Sequence, residues 1–439
     1  MNTLTRSESL KVTTAAADTP AKDRMSWWQS VARNRLFAAL RTLRHGHLTV
    51  VDVLGRETFG QSAGDAPSCT VTVTDPAFYT ALAGHGSVGA GTAYGEGWWR
   101  CDDLVALVRL LAANRELNDG MEGGLARIGA ALMRVAHAAR RNTRAGSRRN
   151  IAAHYDLGNP LFELFLSSDL MYSSALWSGA DDTLEAASTR KLDAICRKLG
   201  LHAGLNVVEI GTGWGGFALH AARHYGCHVT TTTISAEQHA LAARRIAEAG
   251  LGERITLLKQ DYRDLTGRYD RLVSIEMIEA IGAPYLPTYF AKIAELLKPD
   301  GLALVQAITI EDHRYEEALR AVDFIKQVIF PGSFIPSISA MLAAKTRSSD
   351  LALVRLDDFG LSYARTLQAW RERFLQEEAR VRALGYNGRF IRLWEFYLAY
   401  CEGGFRERTI GVSQLLLARP DARPADSDGW GHDAPVGKP

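Results

Sequence analysis

The stretch "LNVVEIGTGWGGFALHAARHYG", Leu205 to Gly226, decides how the rest of the chain is read. Val207 and Val208 read as a buried strand with Glu209 at its carboxyl end. Gly211, Gly213, Gly215 and Gly216 then form a turn into a helix that starts near Phe217. Glycines let a backbone approach a ligand closely and accept positive φ angles without penalty. Such a turn is shared by several classes of nucleotide-binding sheet, so its neighbours have to identify the ligand.

A dehydrogenase places the acid that holds the NAD ribose at the tip of the second strand, about 20 residues after the glycines. Here the second strand ends in "TTTTISAEQ", Thr230 to Gln238, with no acid at its tip. The acid instead ends the first strand, as Glu209, which is where S-adenosylmethionine sites typically carry one. Thr233 and Gln238 are placed to hydrogen-bond such a cofactor as neutral groups. After the third strand, "KQDYRDL" sets Asp261 where an acid can accept from the adenine amino group. Tyr262 beside it reads either as a ring packed on the adenine or as a half-buried packing residue.

Moving outward, strands are expected near 206–210, 227–233, 255–259, 271–275 and 302–306, with helices between them. Alternation of this kind indicates a mainly parallel sheet covered by helices on both faces. Two more strands, 351–356 and 410–418, are separated by a long helical insertion. The expected fold is therefore α/β, a Rossmann-like methyltransferase sheet of seven strands with a helical insertion before the last one.

The flanks are different in texture. Residues 1–25 and 420–439 are polar or rich in Pro, Gly and Asp, and read as disordered. Residues 26–120 read as a small α+β domain suited to binding. Within it, "SWWQSVARNRLFAALRTLRHGHL" carries Trp27, Trp28, Val31, Leu36, Leu40 and Leu43 at roughly helical spacing, with Arg33, Arg35, Arg41 and Arg44 interleaved. This suits either a helix packed on its own domain or one lying on a membrane surface. "HLTVVDVLGRETFG" and "SCTVTVTDPAFYTAL" alternate as strands do, and "DLVALVRLLAANREL" reads as a helix. Residues 121–150 form a basic linker in which Arg134, Arg140, Arg141, Arg144, Arg148 and Arg149 occur with no acid among them. It is either a solvated connection or a dock for anionic head groups. Residues 151–419 make up the expected cofactor domain.

Composition bounds the remaining choices. A chain of 439 residues with 47% apolar and 23% charged residues is an ordinary globular protein. A net charge of +2 is too small to point to nucleic acid. Cys69, Cys101, Cys196, Cys227 and Cys401 are scattered, odd in number and never spaced as CxxC, which suits neither a disulfide framework nor a zinc site. No metal site is expected. The first 25 residues lack a signal-type apolar core, and no window approaches 18 uninterrupted apolar residues. The protein is expected to be cytoplasmic, without a membrane span, and able to lie on a membrane.

One further stretch is unusual. "RLVSIEMIEAIG", Arg271 to Gly282, ends a strand-like run in Glu276 and Glu279, set among Met277, Ile278 and Ile281. Burying a carboxylate in such surroundings costs several kcal/mol unless it is paired.

Taken in order, "AAHYDLGNPLFELFL" (152–166), "LMYSSALW" (170–177), "VVEIGTGWGG" (207–216), "TISAEQ" (233–238), "QDYRDL" (260–265), "RLVSIEMIEAIG" (271–282), "IFPGSFIPS" (329–337) and "CEGGFRER" (401–408) resemble the cyclopropane-fatty-acyl-phospholipid synthases. The chain also resembles the mycolic acid cyclopropane synthases and methyltransferases. The likeness spans about 150–419, and residues 26–120 resemble the family's amino-terminal lipid-binding domain.

The resemblance implies methyl transfer from S-adenosylmethionine to the cis double bond of an acyl chain in membrane phospholipid. It implies that Tyr172, Ser173, Gly211, Gly213, Thr233, Ile234, Gln238, Asp261 and Tyr262 line the cofactor site. It further implies that Ser174, Glu279, Gln306, Ile308 and Tyr363 line a pocket for a bicarbonate ion. An alkene methylated in this way becomes a carbocation, and ring closure then needs a base for a proton of the new methyl group. A nearby anion lowers that barrier, and a water-poor pocket prevents quenching of the cation.

Ser174 and Gln306 stand where many members carry Cys and His, and Ala280 stands where a His commonly follows the key glutamate. Ser and Gln still donate hydrogen bonds to an anion, so bicarbonate remains compatible, but neither supplies an imidazole. The expected product is a cyclopropane chain, the alternative a methyl-branched or methylated-alkene chain. A methyltransferase for a soluble small molecule and a non-catalytic lipid-binding protein are disfavoured, because the amino-terminal domain and the cofactor loop are both intact. The expected partner is a phospholipid bilayer at the inner face of the cytoplasmic membrane, with a homodimer as the admitted assembly and no nucleic acid. His154 and Cys401 read as structural, and Trp370, Trp394, Phe396 and Tyr397 as mostly core.

Overall fold

The computed structural model describes residues 25–61, 64–114 and 157–423. The basic linker arginines, His154 and residues 1–24 and 424–439 lie outside the described residues, whereas 420–423, expected within a disordered tail, are placed, with Ala422 buried and the Asp421 N–H bound to the Pro299 carbonyl. The chain forms two compact units, one of residues 1–136, 322–329 and 370–407, the other of residues 137–321, 330–369 and 408–439.

The first unit holds a four-stranded sheet of β1 (Gly46–Asp52), β2 (Gly55–Gln61), β3 (Ser68–Val73) and β4 (Trp99–Cys101), in the order β2-β1-β3-β4. Helix Trp27–Leu40 opens it, capped by Ser26, whose hydroxyl accepts from the Gln29 backbone while the Gln29 side chain returns to the Ser26 N–H. This reciprocal arrangement satisfies two of the donors that a helix start leaves open. Its buried residues are Ala32, Phe37 and Leu40, whereas Trp27 and Trp28 stand 67% and 64% exposed. The tryptophan pair therefore lies off the buried face of this helix.

The alternation read through "DPAFYTAL" gives way to a helix, Ala77–Gly95. The Asp75 carboxylate accepts from the Ala77 N–H at 2.8 Å, and Pro76 fixes the turn that stops the strand. Residues 370–407, placed by sequence inside the cofactor domain, pack with the amino-terminal elements instead. Tyr94 Oη donates to Glu395 at 2.9 Å, Arg392 donates to the Gly95 carbonyl, and Arg109 pairs with Glu407 at 2.7 Å. Gly403 lies so close to Val108 that a Cβ there would sit 2.6 Å from its side chain.

The second unit is built on a seven-stranded sheet of order β10-β11-β9-β8-β5-β6-β7. Its strands are β5 (Asn206–Ile210), β6 (His228–Thr232), β7 (Ile255–Leu258), β8 (Tyr269–Ile275), β9 (Leu297–Ile310), β10 (Ala352–Asp358) and β11 (Ile410–Ala418). β5 to β9 run parallel, and β11 is antiparallel to both β9 and β10. This is the sheet expected from the sequence, with the helices Gly360–Gln376, Glu378–Ala383 and Gly388–Arg406 inserted between β10 and β11. The central strands are apolar on both faces because helices cover both sides. Val208, Leu272 and Val305 face one cluster and Val207, Val273 and Leu304 the other. Among the described residues, no helix is long and apolar enough to cross a membrane.

Candidate active site

Parallel strands end on one edge of the sheet. The register aligns Ile210 with Thr232, Thr232 with Leu258, and Ile275 with Gln306. Ligands of open α/β sheets bind outside this carboxyl edge, where the strand order reverses. The chemistry-bearing residues therefore come together from separate parts of the chain.

The glycine loop has the geometry that its composition predicts. Gly211, Gly213 and Gly215 have φ values of +102°, +53° and +88°. Space in front of Gly213 is open, since a Cβ there would meet nothing within 4 Å. The Gly211 and Thr212 N–H groups bond the Thr232 carbonyl and tie the loop to β6. Glu209 is buried at the end of β5, where Thr231 Oγ1 donates to it at 2.6 Å. Burial pushes its carboxyl up to about 8, against the Thr231 bond and the charge of Lys191.

The remaining residues expected at the cofactor are placed as follows. Thr233 Oγ1 donates to Gln238 Oε1 at 2.8 Å, so these two neutral groups hold each other. Ile234 beside them is half-buried. Asp261 accepts two bonds from the Arg263 guanidinium, at 2.8 and 2.6 Å, and so already carries a cationic partner. Tyr262 is buried and its hydroxyl has no hydrogen-bond partner. Tyr172 joins an aromatic cluster with Phe162, Trp214 and Phe330, and the Ser173 hydroxyl accepts from Lys191 Nζ at 2.9 Å. An open glycine cradle, an acid at the first strand end and an unpartnered tyrosine hydroxyl fit the residues of this edge to an adenosyl cofactor.

The anion pocket is where expectation and structure part. Ser174, Gln306 and Tyr363 do converge, but on Glu276 rather than on Glu279. Gln306 Nε2 donates to Glu276 Oε1 at 2.7 Å and the Ser174 N–H donates to the same oxygen at 2.9 Å. Tyr363 Oη donates to Oε2 at 2.7 Å. The Ser174 hydroxyl is turned away to the Ala175 carbonyl. Ile308 contributes its backbone N–H, which donates to Glu279 Oε1 at 2.6 Å, while Glu279 Oε2 is buried with no partner. Gln306, Tyr363 and the Ile308 N–H are thus engaged by carboxylates of the chain, and the Ser174 hydroxyl by a backbone carbonyl. A further anion would face the buried Glu276 charge and find its donors already taken, so the residues present do not fit a bicarbonate ion in this place.

Local structure explains the arrangement. Residues 173–177 form an extended strap, held by Lys191 on Ser173, by Thr366 Oγ1 on the Ala175 N–H and by Ser362 Oγ on the Trp177 N–H. Tyr363 and Thr366 are three apart on helix Gly360–Gln376, so one helix face serves both the strap and Glu276. Glu276 follows β8 with φ +49°, a left-handed angle that costs a non-glycine residue about 1–2 kcal/mol.

Both carboxylates lie deep in the unit and keep a partial opening to solvent through other atoms. Burial raises the Glu276 carboxyl, opposed by Gln306, Ser174, Tyr363 and Lys191. Burial and then the neighbouring Glu276 charge push Glu279 up to about 8. Neighbouring titratable groups in such unequal surroundings divide into one proton carrier and one base. Here three donors meet Glu276 and one backbone N–H from β9 meets Glu279, so the hydrogen bonds favour the charge on Glu276 and the proton on Glu279.

Sequence reading missed two cations. Lys191 is fully buried, held up to its environment by Asp169, Glu276 and Glu209 although desolvation lowers it to about 8. Its signal was present, since Leu184, Ala187, Ser188, Lys191, Leu192 and Ile195 occupy the buried face of helix Leu184–Lys198. Lys198 donates to Gln414 Oε1 at 2.6 Å, and Gln414 Nε2 donates to Gln306 Oε1 at 2.9 Å. Nothing in the local sequence announces that relay, which joins three distant segments.

The family model described as mycolic acid cyclopropane synthetase matches residues 142–415. The chain belongs to that family. It is 37% identical over 393 residues to the tuberculostearic acid methyltransferase UfaA1 of Mycobacterium tuberculosis, covering 88% of this chain and 90% of that protein. It is also 37% identical over 358 residues to the cyclopropane-fatty-acyl-phospholipid synthase of Escherichia coli, covering 81% and 89%. A crystal structure of the mycolic acid cyclopropane synthase CmaA1 complexed with SAH and CTAB superposes with a TM-score of 0.58 at 28% identity, over 62% of this chain and 98% of that one. Family membership makes this protein an S-adenosylmethionine-dependent methyltransferase of the cyclopropane synthase type. It also makes lipid acyl chains the class of group that it modifies.

Proposed function

We propose that the enzyme methylates the cis double bond of unsaturated acyl chains in membrane phospholipid, and that its product is the open, methylated chain rather than the ring. The observation that carries the reading is the buried carboxylate pair, Glu276 and Glu279, beside the cofactor edge of the sheet. A cationic intermediate on an otherwise apolar chain needs a fixed negative charge and little water, and Glu276 supplies the charge. Bound S-adenosylmethionine supplies a methyl group on a sulfonium, which the alkene takes as the C–S electron pair returns to sulfur.

Tyr172, Ser173, Glu209, Gly211, Gly213, Thr233, Ile234, Gln238, Asp261 and Tyr262 line the cofactor site in this reading. Glu209 meets polar groups of the adenosyl moiety, and the open face of Gly213 admits its close approach. Ser174, Gln306 and Tyr363 orient Glu276, while Ile308 orients Glu279. The ring remains the product that the resemblance favours. The open chain is preferred because the pocket is built around a carboxylate that follows β8 and is held by three donors of the chain.

The partner is the bilayer surface, met peripherally from the cytoplasmic side. Trp27, Trp28, Val53 and Leu54 are exposed in the first unit. Arg33 on the opening helix pairs at 2.6 Å with Asp52, which immediately precedes the hairpin tip of Val53 and Leu54. The two tryptophans lie less than two helical turns before Arg33, so all four side chains gather at one end of the unit. Tryptophans with neighbouring aliphatic side chains suit the interface between head groups and acyl chains.

Expression in a bacterium lacking its own synthase, followed by mass spectrometry of the phospholipid acyl chains, tests the function. The expected result is unsaturated chains heavier by one CH2. Hydrogenation and proton NMR then separate an open methylated alkene from a cyclopropane. Unchanged chains under good expression refute the reading, and ring signals refute its product.

A further inference from the structure

The expected bicarbonate and the observed Glu276 compete for one place, and the hydrogen bonds around that place favour the ionised carboxylate. An ammonium group can only donate. Lys198 therefore obliges Gln414 to present its amide oxygen, at 2.6 Å, and to turn its NH2 toward Gln306. Gln306 accepts at Oε1, at 2.9 Å, and must turn its own NH2 toward Glu276, at 2.7 Å. With the Ser174 N–H and the Tyr363 hydroxyl, three donors aim at one carboxylate. An ionised carboxylate, which only accepts, satisfies all of them.

The backbone adds a separate observation. Glu276 keeps a left-handed φ of +49° that glycine would adopt freely. Its N–H is bound to the Gln306 carbonyl at 2.8 Å, which holds that turn against the end of β9. A side chain retained in a conformation that disfavours it, with its carboxylate fully bonded, marks a position where the group matters more than the strain.

We propose that the Glu276 carboxylate is the resident anion of this pocket and the base that takes the proton lost after methyl transfer, so that the enzyme needs no free bicarbonate. The inference rests on the methylation reading above. In the step concerned, a C–H bond on a carbon next to the cationic carbon breaks and its electron pair forms the carbon–carbon double bond of the open, methylated chain. The proton passes to a Glu276 oxygen and leaves to water on product release. Gln306, Gln414 and Lys198 act through Glu276 and are positioning residues.

The test uses the full-length enzyme with unsaturated phospholipid vesicles, in buffer freed of carbon dioxide and in the same buffer with bicarbonate restored. The wild type is expected to turn over equally in both. Glu276→Gly removes the carboxylate, relieves the left-handed angle and leaves a space of carboxylate size. It is expected to bind S-adenosylmethionine as the wild type does, to lose about 100-fold or more in kcat, and to regain activity saturably with added formate, acetate or bicarbonate. Glu276→Gln, which fills the same space, is expected to be as inactive and to show no rescue.

A wild type that needs bicarbonate overturns the proposal while leaving the methylation reading intact. So does a Glu276→Gly enzyme that is active without any added anion. Loss that no small anion restores, in a variant that still binds cofactor, assigns Glu276 a structural role and also overturns it. A wild type that methylates no acyl chain in either buffer refutes the underlying reading instead.

Discussion

Glu279→Gln separates the two carboxylates by their response to pH. In the folded protein the Glu279 carboxyl is pushed from an ordinary 4.5 to about 8, first by burial and then by the Glu276 charge. Its Oε2 is buried without a hydrogen-bond partner, and the Ile308 N–H donates to the other oxygen. Between these two values the folded state holds a proton that the unfolded chain has released. Stability contributed by this group is therefore fully present below about pH 4.5 and is lost as pH rises through about 8.

Each pH unit in that window is worth about 1.4 kcal/mol, so the loss from about pH 5 to about pH 8 is on the order of 3 kcal/mol. Glutamine has the shape of the protonated acid and no titration, so the variant lacks this slope. Glu209 and Glu276, also raised by burial, remain in both proteins and cancel in the difference. Urea unfolding of the cofactor-free enzymes at several pH values measures it directly. The variant should equal the wild type near pH 5 and exceed it increasingly toward pH 8. Parallel stability curves would falsify the assignment of Glu279 as the neutral member, and with it the division of roles between the two carboxylates. In activity, Glu279→Gln should cost about tenfold or less near neutrality, against about 100-fold or more for Glu276→Gln.

Three other substitutions probe the surroundings. Tyr363→Phe removes a hydrogen bond to a charged group, worth about 1.5–3 kcal/mol, and should lower kcat about 10- to 100-fold with cofactor affinity unchanged by calorimetry. Gln414→Leu breaks the relay that favours the ionised form of Glu276. The acid limb of its kcat–pH profile should move to higher pH, whereas a merely structural role would lower kcat evenly across the profile. Replacing Trp27 and Leu54 together by Ser removes two large apolar groups from the bilayer contact, each worth about 1.5–3 kcal/mol when fully buried. Vesicle flotation should weaken at least about tenfold, while kcat on detergent-dispersed phospholipid stays unchanged. Equal flotation by the double variant would remove these side chains from the membrane contact.

What the sequence makes legible depends on how local the physics is. The glycine loop, the strand periodicity and the split of the last two strands are properties of contiguous residues, and the seven-stranded sheet follows from them. Helical spacing groups Trp27 and Trp28 with apolar neighbours without saying whether their face is covered, so it leaves both the packed and the membrane-surface helix open, and their exposure is a tertiary fact. Residues 370–407 were assigned by order along the chain, yet their burial is settled by pairings such as Tyr94 with Glu395, far apart in sequence.

The carboxylates show the limit most sharply. Motif spacing favoured Glu279, because it counts positions along β8 and the turn after it. Which acid enters the anion pocket depends on backbone direction, and the left-handed angle at Glu276 reverses it. That single dihedral swings Glu276 under Ser174, Gln306 and Tyr363 and leaves Glu279 with the Ile308 N–H. The replacement at Gln306, which looked like part of a weakened bicarbonate site, acquires a cause. Gln306 is long enough to carry the Lys198–Gln414 polarity to Glu276, and an amide, unlike an imidazole, cannot take up the proton itself. Proton transfer is thereby confined to the carboxylate, and the pocket is built around one base whose charge is set by donors more than one residue away.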